Sequence, residues 1–220
     1  VSGSCINDTI IILDGSYSED SIFISRPIII GSEFLIDGDS SHITNTVFSG
    51  GNNAAFYINY VNSQYADTTS MLISGFTIEN YNNPNFDQWY GHGGAISVWN
   101  SYVKIDHMII EENTARHGGG VGFMGHGFTA VVSNSIISGN HADLGGGGIK
   151  AELTGDLWIR NTQIDDNEAN EGGGLWSRSW TELSNVEITN NSAVYYGGFY
   201  SNTIGSSNSS RTSNEWTNVK

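Results

Sequence analysis

Apolar residues along this chain recur in short alternating runs that return at a nearly constant spacing. Between residues 103 and 188 one register reads apolar-x-apolar-x-Asn-x-x-Ile, with Ile105, Val132, Ile159 and Leu183 at its second apolar position. Each run is about five residues long, which suits a strand and is too short for a helix. The pattern therefore predicts a repeated all-β unit.

Glycine clusters mark the same period. Five segments align at residues 93–96, 118–121, 146–149, 172–175 and 196–199, and each ends in an apolar residue: Ile96, Val121, Ile149, Leu175 and Phe199. These end residues lie 25, 28, 26 and 24 positions apart. We expect the glycines to adopt positive φ at the corner that enters a strand.

This spacing predicts a right-handed parallel β-helix. Three short strands plus turns use about 25 residues, and successive copies would stack about 4.8 Å apart. A propeller blade would need about 40 residues, and a leucine-rich repeat would contain a helical half. We predict seven or eight coils, with Ile105, Val132, Ile159 and Leu183 in one axial column.

Asparagines form a third register that follows the Ile positions. They are Asn113, Asn140, Asn167 and Asn191, each followed two residues later by alanine. Asparagine tolerates a left-handed backbone at bends, and its amide can bond to the same residue on the next rung. We therefore predict a structural asparagine ladder.

The two ends of the chain repeat less regularly. Residues 9–13, 22–24, 27–30, 34–36 and 56–58 are strand-like and would form about three coils with longer loops. We assign residues 1–202 to the β-helix domain and 203–220 to a loose terminal coil or linker. Because solenoids need capped ends and no cap helix is evident, we expect neighbouring sequence to have been removed.

Composition narrows the classes of partner. The formal net charge is −15, which argues against binding nucleic acid or an anionic membrane surface. The single Cys5 excludes an intrachain disulfide framework and a cysteine-based zinc site. No apolar run reaches the roughly 18 residues of a membrane helix.

The glycine and asparagine steps resemble a known group of repeats. Gly-Gly-Gly-Ile and Ile-x-x-Asn-x-Ala are similar to the repeats of large secreted bacterial surface proteins with the pectin-lyase-like fold. Residues 8–17, 36–38 and 72–78 are similar to the early coils of that group. Polymorphic outer membrane proteins share a Gly-Gly-x-Ile step, but their Phe-x-x-Asn motif is not repeated here. The resemblance spans about residues 8–202 and implies a parallel β-helix that is secreted or on the cell surface.

Alternation along the glycine-led strands predicts which side chains face outward. If the apolar end residues point inward, then an outer face carries Trp99, Lys150, Glu152, Trp176, Arg178 and Tyr200. Aromatic rings can cover the C–H face of a sugar while charged neighbours meet its hydroxyl or carboxylate groups. We predict that these residues form an exposed glycan-binding face.

The sequence gives weaker indications of catalysis or metal binding. The adjacent carboxylates Asp165 and Asp166 resemble the pair of polygalacturonase-like hydrolases, but the two Gly-His-Gly steps precede them, which reverses the family order. With Glu168 they are also candidate calcium ligands, as are Asp37 and Asp39. The six histidines include no closely spaced metal-ligand pair. We therefore assign no catalytic residue and no cofactor other than this candidate calcium.

These observations favour a non-catalytic extracellular domain that serves as an adhesion, glycan-contacting or stalk module of a larger surface protein. The expected partners are a polysaccharide or cell-surface glycan and neighbouring domains of the same polypeptide. Two alternatives remain open. One is a polysaccharide lyase or glycoside hydrolase, and the other is a repeat segment of an extracellular fibre or surface layer.

Overall fold

The computed structural model describes residues 8–59, 61, 71–84, 92–153 and 155–201, with the backbone alone at 153 and 215–219. Nearly all of the regular structure in these residues is β-strand. The first three coils contain two short helices and nine strands: β1 (Thr9–Ile12), β2 (Gly15–Tyr17), β3 (Ile22–Ile24), β4 (Ile29–Ser32), α1 (Phe34–Asp37), α2 (Ser41–Asn45), β5 (Thr46–Gly51), β6 (Phe56–Asn59), β7 (Met71–Ser74), β8 (Thr77–Asn83) and β9 (Ile96–Trp99).

The later coils follow the regular repeat. Their strands are β10 (Val103–Asp106), β11 (Ile109–Glu111), β12 (Thr114–His117), β13 (Val121–Gly125), β14 (Ala130–Ser133), β15 (Ile136–Ser138), β16 (His141–Gly145), β17 (Ile149–Leu153), β18 (Asp156–Asp165), β19 (Glu168–Glu171), β20 (Leu175–Ser177), β21 (Trp180–Thr189), β22 (Ser192–Tyr195), β23 (Phe199–Ser201) and β24 (Glu215–Val219). Strands of successive coils pair in parallel, which makes the molecule a parallel β-helix.

One sheet shows the coil count directly. It is built from β3, β6, β9, β13, β17, β20 and β23, one strand from each of seven coils. Strand β24 pairs with β21 and begins the next coil, so the tail assigned to a terminal coil or linker contributes at least this strand to the solenoid. The number of coils agrees with the prediction.

The predicted axial column is confirmed. Ile105 pairs with Val132, Val132 with Ile159, and Ile159 with Leu183, and all four are fully buried. Ile73 and Ile30 extend the column toward the N-terminus. These residues belong to one continuous hydrophobic core that runs the length of the described coils.

The coils of β10–β13 and β14–β17 have four strands each and not the three predicted, whereas the next two coils have three, because their first two segments run together as the ten-residue strands β18 and β21. Two left-handed residues per coil produce the additional bend. The first set has φ of 49° to 54° and comprises His107, Asn134, Asn161 and Asn185. The second set has φ of 52° to 62° and comprises Glu112, Gly139, Asp166 and Asn190. In the sequence, the first set is visible because a polar residue recurs at the same place in each repeat. The second set was not predicted as bends, because its residue types differ from coil to coil.

The asparagine ladder is confirmed, with one change to its backbone. The Nδ2 group of Asn113 donates to Oδ1 of Asn140, and that of Asn140 donates to Oδ1 of Asn167, both at 3.0 Å. Asn167 continues to Asn191 at 2.9 Å. The left-handed conformation belongs to the residue before each ladder asparagine, because the amide must point into the coil to reach the next rung.

The glycine corners also behave as expected. The first residue of each cluster has positive φ: Gly93, Gly118, Gly146 and Gly172. In the fifth cluster Tyr196 takes this place with φ 61°. Because most side chains are strained in this region, glycine is favoured at the other four corners.

The prediction of a strand at residues 34–36 is wrong. Phe34–Asp37 form α1, and Gly38 ends it in a left-handed conformation with its N–H bonded to the carbonyl oxygen of Phe34. A run of three apolar residues fits either one helical turn or a strand, and the glycine that follows favours the helix end. Helices α1 and α2 form an insert between β4 and β5 of the second coil.

Candidate functional site

The six residues predicted on the outer face do come together. On the seven-stranded sheet, register pairs link Tyr57, Ser97, Gly122, Lys150, Trp176 and Tyr200, which we call the axial row. Trp99 and Glu152 lie in the adjacent row, in register with Met124 between them. Arg178 joins this second row, because its N–H donates to the carbonyl oxygen of Ala151 and its guanidinium contacts Glu152.

The axial row is less exposed than the prediction required. Lys150 is 5% exposed and Trp176 is 9% exposed, whereas Trp99 and Tyr200 are half-buried. The reason is a bend in the coil that brings the ends of β12, β16 and β19 over this row. Lys150 Nζ lies 3.0 Å from Nδ1 of His117, and the Trp176 indole N–H donates to Glu171 at 3.2 Å. Strand alternation predicts the direction of a side chain but not what folds over it.

Trp176 is held from several sides. Its ring stacks on Tyr200 with centroids 5.5 Å apart, and Lys150 Nζ lies 4.9 Å from its centroid. Tyr196 adds a third ring, 4.8 Å from that of Tyr200, and is 60% exposed. Trp176, Tyr200 and Tyr196 thus form an aromatic cluster. Its innermost ring, Trp176, is held by these contacts, and its outermost ring, Tyr196, is exposed to solvent.

Sequence reasoning did not find Tyr196. Its signal was the single substitution in the fifth glycine cluster, where a large aromatic replaces a corner glycine despite the strain of a left-handed backbone. A strained backbone at one position of a regular repeat makes Tyr196 a candidate functional residue.

The charges beside the aromatic cluster are paired. Glu152 accepts a hydrogen bond from Arg178 at 3.1 Å and lies 3.6 Å from Lys150 Nζ. Burial lowers the pKa of the Lys150 amine, and the neighbouring carboxylate of Glu152 opposes that change. The face thus offers cationic, anionic and aromatic groups within a few side-chain lengths of one another.

The imidazole rings of His92 and His117 stack on each other next to Lys150. The rings of His92 and His117 are 4.7 Å apart and nearly parallel, at 11°. Burial, followed by the nearby Lys150, lowers the pKa of His117 to about 2. His117 is therefore neutral at physiological pH and accepts the hydrogen bond from Lys150 through Nδ1.

The substitution His117→Gln is expected to reduce the loss of stability on acidification, which for this group extends from about pH 6.5 to about pH 2. An unfolded histidine binds a proton near pH 6.5, whereas folded His117 does not until about 2. Because the unfolded state binds the extra proton, stability falls as the pH drops, by at most about 1.4 kcal/mol per pH unit for this group. Unfolding free energies of both proteins, measured by denaturant at pH 7 and pH 5, test this; identical pH slopes would contradict it.

The carboxylates considered for catalysis or calcium have other roles. Oδ1 of Asp165 accepts hydrogen bonds from the Thr189 hydroxyl at 2.6 Å and from Asn190 Nδ2 at 2.8 Å, one rung away. Asp106 repeats this arrangement with Ser133 and Asn134. Asp165 therefore acts as a link between rungs, while Asp166 occupies a left-handed bend and Glu168 is exposed on β19.

One group of side chains among the described residues has atoms close enough to share a metal ion. Asp14, Glu33 and His42 place one ligand atom each within 4.8 Å of the others. The earlier calcium candidates Asp165, Asp166 and Glu168 do not form such a group in the described part of the chain. The spacing of residues 14, 33 and 42 gives no sequence signal, because the contacts cross from one coil to the next.

No protein-family model matches the chain, and comparison with curated proteins and with solved structures gives no match. The helices α1 and α2, which are those found in the described residues, are too short to cross a membrane.

Proposed function

We propose that this chain is a non-catalytic extracellular domain that contacts glycans, as an adhesion or stalk module of a larger surface protein. The observation that carries the proposal is the aromatic cluster of Trp176, Tyr200 and Tyr196 beside the Lys150, Glu152 and Arg178 charges. Aromatic faces pack on the C–H surface of sugars, and charged groups bind their hydroxyl or carboxylate groups. The resemblance to secreted surface repeats supports an extracellular location.

The rigidity of the face favours binding. Trp176 is fixed by its stacking on Tyr200 and by the hydrogen bond to Glu171, so little side-chain freedom is lost when a ligand docks. Its burial makes Tyr200 and Tyr196 the principal contact rings, with Trp176 as their support. Because most of the axial row is buried, we expect a ligand to contact this row at its Tyr200 end and not along its whole length.

The substitution Tyr196→Gly is expected to weaken glycan binding by roughly three- to tenfold, since one aromatic contact contributes about 0.5–1.5 kcal/mol. Glycine restores the residue found at the other four corners and suits the left-handed backbone, so stability should be equal or higher. A glycan array, followed by calorimetric titration of the best ligand, measures the change. Tyr102→Ala is the matched control, because Tyr102 packs against Phe128 on another part of the coil.

Two outcomes would contradict the proposal. If the wild-type protein binds no glycan of the array, the glycan-contacting function is wrong and a stalk role remains. If Tyr196→Gly binds as tightly as the wild type, the aromatic cluster is not the contact face.

The pair of Lys150 and His117 favours a lyase as the second candidate function. A lyase needs a base that removes a proton from the bound sugar, and burial, which lowers the pKa of the Lys150 amine beside His117, acts in the direction of such a base. Assay of the same glycans for unsaturated products separates the two functions, since a binding module leaves its ligand unchanged.

A further inference from the structure

We propose that Asp14, Glu33 and His42 bind a divalent transition-metal cation of the zinc type, at a site unrelated to the axial row. Asp14 follows β1, Glu33 immediately precedes α1, and His42 lies in α2. The three side chains therefore come from the first coil and from the helical insert of the second coil. An ion between them would join the insert to the coil beneath it.

The distances suit a shared ion. Nδ1 of His42 lies 2.7 Å from Oδ1 of Asp14 and 3.9 Å from Oε2 of Glu33. Zinc binds imidazole nitrogen and carboxylate oxygen at about 2.0–2.2 Å, which places ligand atoms about 3–3.5 Å from one another in a tetrahedral site. Binding would require side-chain rotations that bring these three atoms to that spacing, and water would take the fourth position.

Groups outside the three ligands orient them as metal sites require. The other ring nitrogen of His42, Nε2, lies 3.3 Å from Oδ2 of Asp37. When Nε2 carries the proton and donates it to Asp37, the lone pair of Nδ1 faces Asp14 and Glu33. A carboxylate that holds the second nitrogen of a metal-binding histidine is the usual outer-sphere partner.

Asp14 is positioned in the same way. Its Oδ2 accepts a hydrogen bond from Asn45 Nδ2, and its Oδ1 accepts one from the Thr46 hydroxyl, both at 3.3 Å. These donors belong to the end of α2 and the start of β5, so the insert itself orients the carboxylate. A simple ion pair with His42 would not need this support.

Charge at the site also favours a divalent ion. Three carboxylates, those of Asp14, Glu33 and Asp37, face one imidazole. A proton on His42 offsets one negative charge, whereas a metal ion offsets two. The positive ion would therefore lie among more negative charge than one imidazolium can balance.

The chemistry of the donors selects the metal class. One imidazole with two carboxylates suits zinc better than calcium, which prefers six to eight oxygen ligands. The expected order of affinity for chloride salts added to the chelator-treated chain is Zn²⁺, then Mn²⁺, then Ca²⁺. Titration calorimetry should give one zinc ion per chain, since a single group of three ligand atoms is found among the described residues.

Matched variants test the assignment to these residues. His42→Gln is expected to weaken zinc binding by at least a hundredfold, and Asp37→Asn by roughly ten- to a hundredfold through the lost outer-sphere contact. His141→Gln is the control, because His141 also lies near two carboxylates, 3.6 Å from Asp143 and from Glu168, yet those atoms do not converge on one point. Should His42→Gln not fold, Asp14→Asn is expected to show the same loss.

The proposal is overturned if His42→Gln or Asp14→Asn binds zinc as tightly as the wild type. It is also overturned if His141→Gln loses as much affinity, or if Ca²⁺ binds as tightly as Zn²⁺, since either result indicates diffuse attraction to an acidic surface. None of these outcomes depends on glycan binding, so the two proposals fail separately.

Discussion

Replacing Gly147 by alanine is expected to lower the free energy of unfolding by about 3 kcal/mol or more. A Cβ atom at this position would lie 2.3 Å from the carbonyl oxygen of Gly173 and 2.5 Å from that of Glu168. Both are backbone atoms of the next rung, and they cannot move away without opening the parallel ladder. Denaturation in guanidinium chloride, followed by circular dichroism, measures the loss.

Gly145→Ala is the control for this effect. Gly145 lies two residues earlier, and an added Cβ there would lie 3.5 Å from Trp176 Cδ1 and 3.6 Å from the carbonyl oxygen of Glu171. We expect a loss below about 1 kcal/mol, since these are ordinary van der Waals contacts. Equal losses in the two variants would show that the glycines act through intrinsic backbone preference and not through close approach between rungs.

The repeat made the architecture predictable because stacking converts sequence spacing into spatial contact. Ile105 and Val132 are 27 positions apart and become direct neighbours, and the same holds for Asn113 and Asn140. The apolar and asparagine registers carry this information in the residue types themselves. The positive φ of the corner glycines could be predicted as well, because glycine adopts this conformation without a steric penalty.

Features that depend on contact between different registers could not be predicted. Lys150 and Trp176 point outward as expected, but their burial results from His117 and Glu171, which belong to another part of the coil. The second role of the glycine clusters, close approach at Gly147, likewise requires knowledge of the neighbouring backbone.

Interruptions of the repeat were the least predictable parts of the chain. The α1–α2 insert has no counterpart in other described coils, so no aligned copy indicated its structure. The cluster of Asp14, Glu33 and His42 forms only because this insert folds back over the first coil. Both sites that we propose thus lie where the repeat pattern is interrupted, since Tyr196 replaces a corner glycine in the fifth cluster.

Asn140→Ala is expected to destabilise the protein by roughly 4 kcal/mol. The Asn140 side chain is fully buried, donates through Nδ2 to the carbonyl oxygen of Ile110, and accepts from the backbone N–H of Asn113. It also bonds the side chains of Asn113 and Asn167. Alanine leaves these buried partners without a hydrogen bond, and each unsatisfied group costs about 1–3 kcal/mol, not fully additively.

A second ladder in the same coils provides the control. The Nδ2 group of Asn161 donates to Oδ1 of Asn134 at 3.1 Å on the exposed surface, and Asn161 has φ 49°. Asn161→Gly removes that side chain without backbone strain, and water replaces its exposed bonds to Asn134 and Asn185, so we expect a change below about 1 kcal/mol. The denaturation midpoints of the two variants, compared at constant m-value, separate the effects. If Asn140→Ala and Asn161→Gly lower the free energy of unfolding equally, burial does not make the inner ladder more stabilising than the exposed one. The hydrogen bonds alone would then determine how much each ladder stabilises the coil.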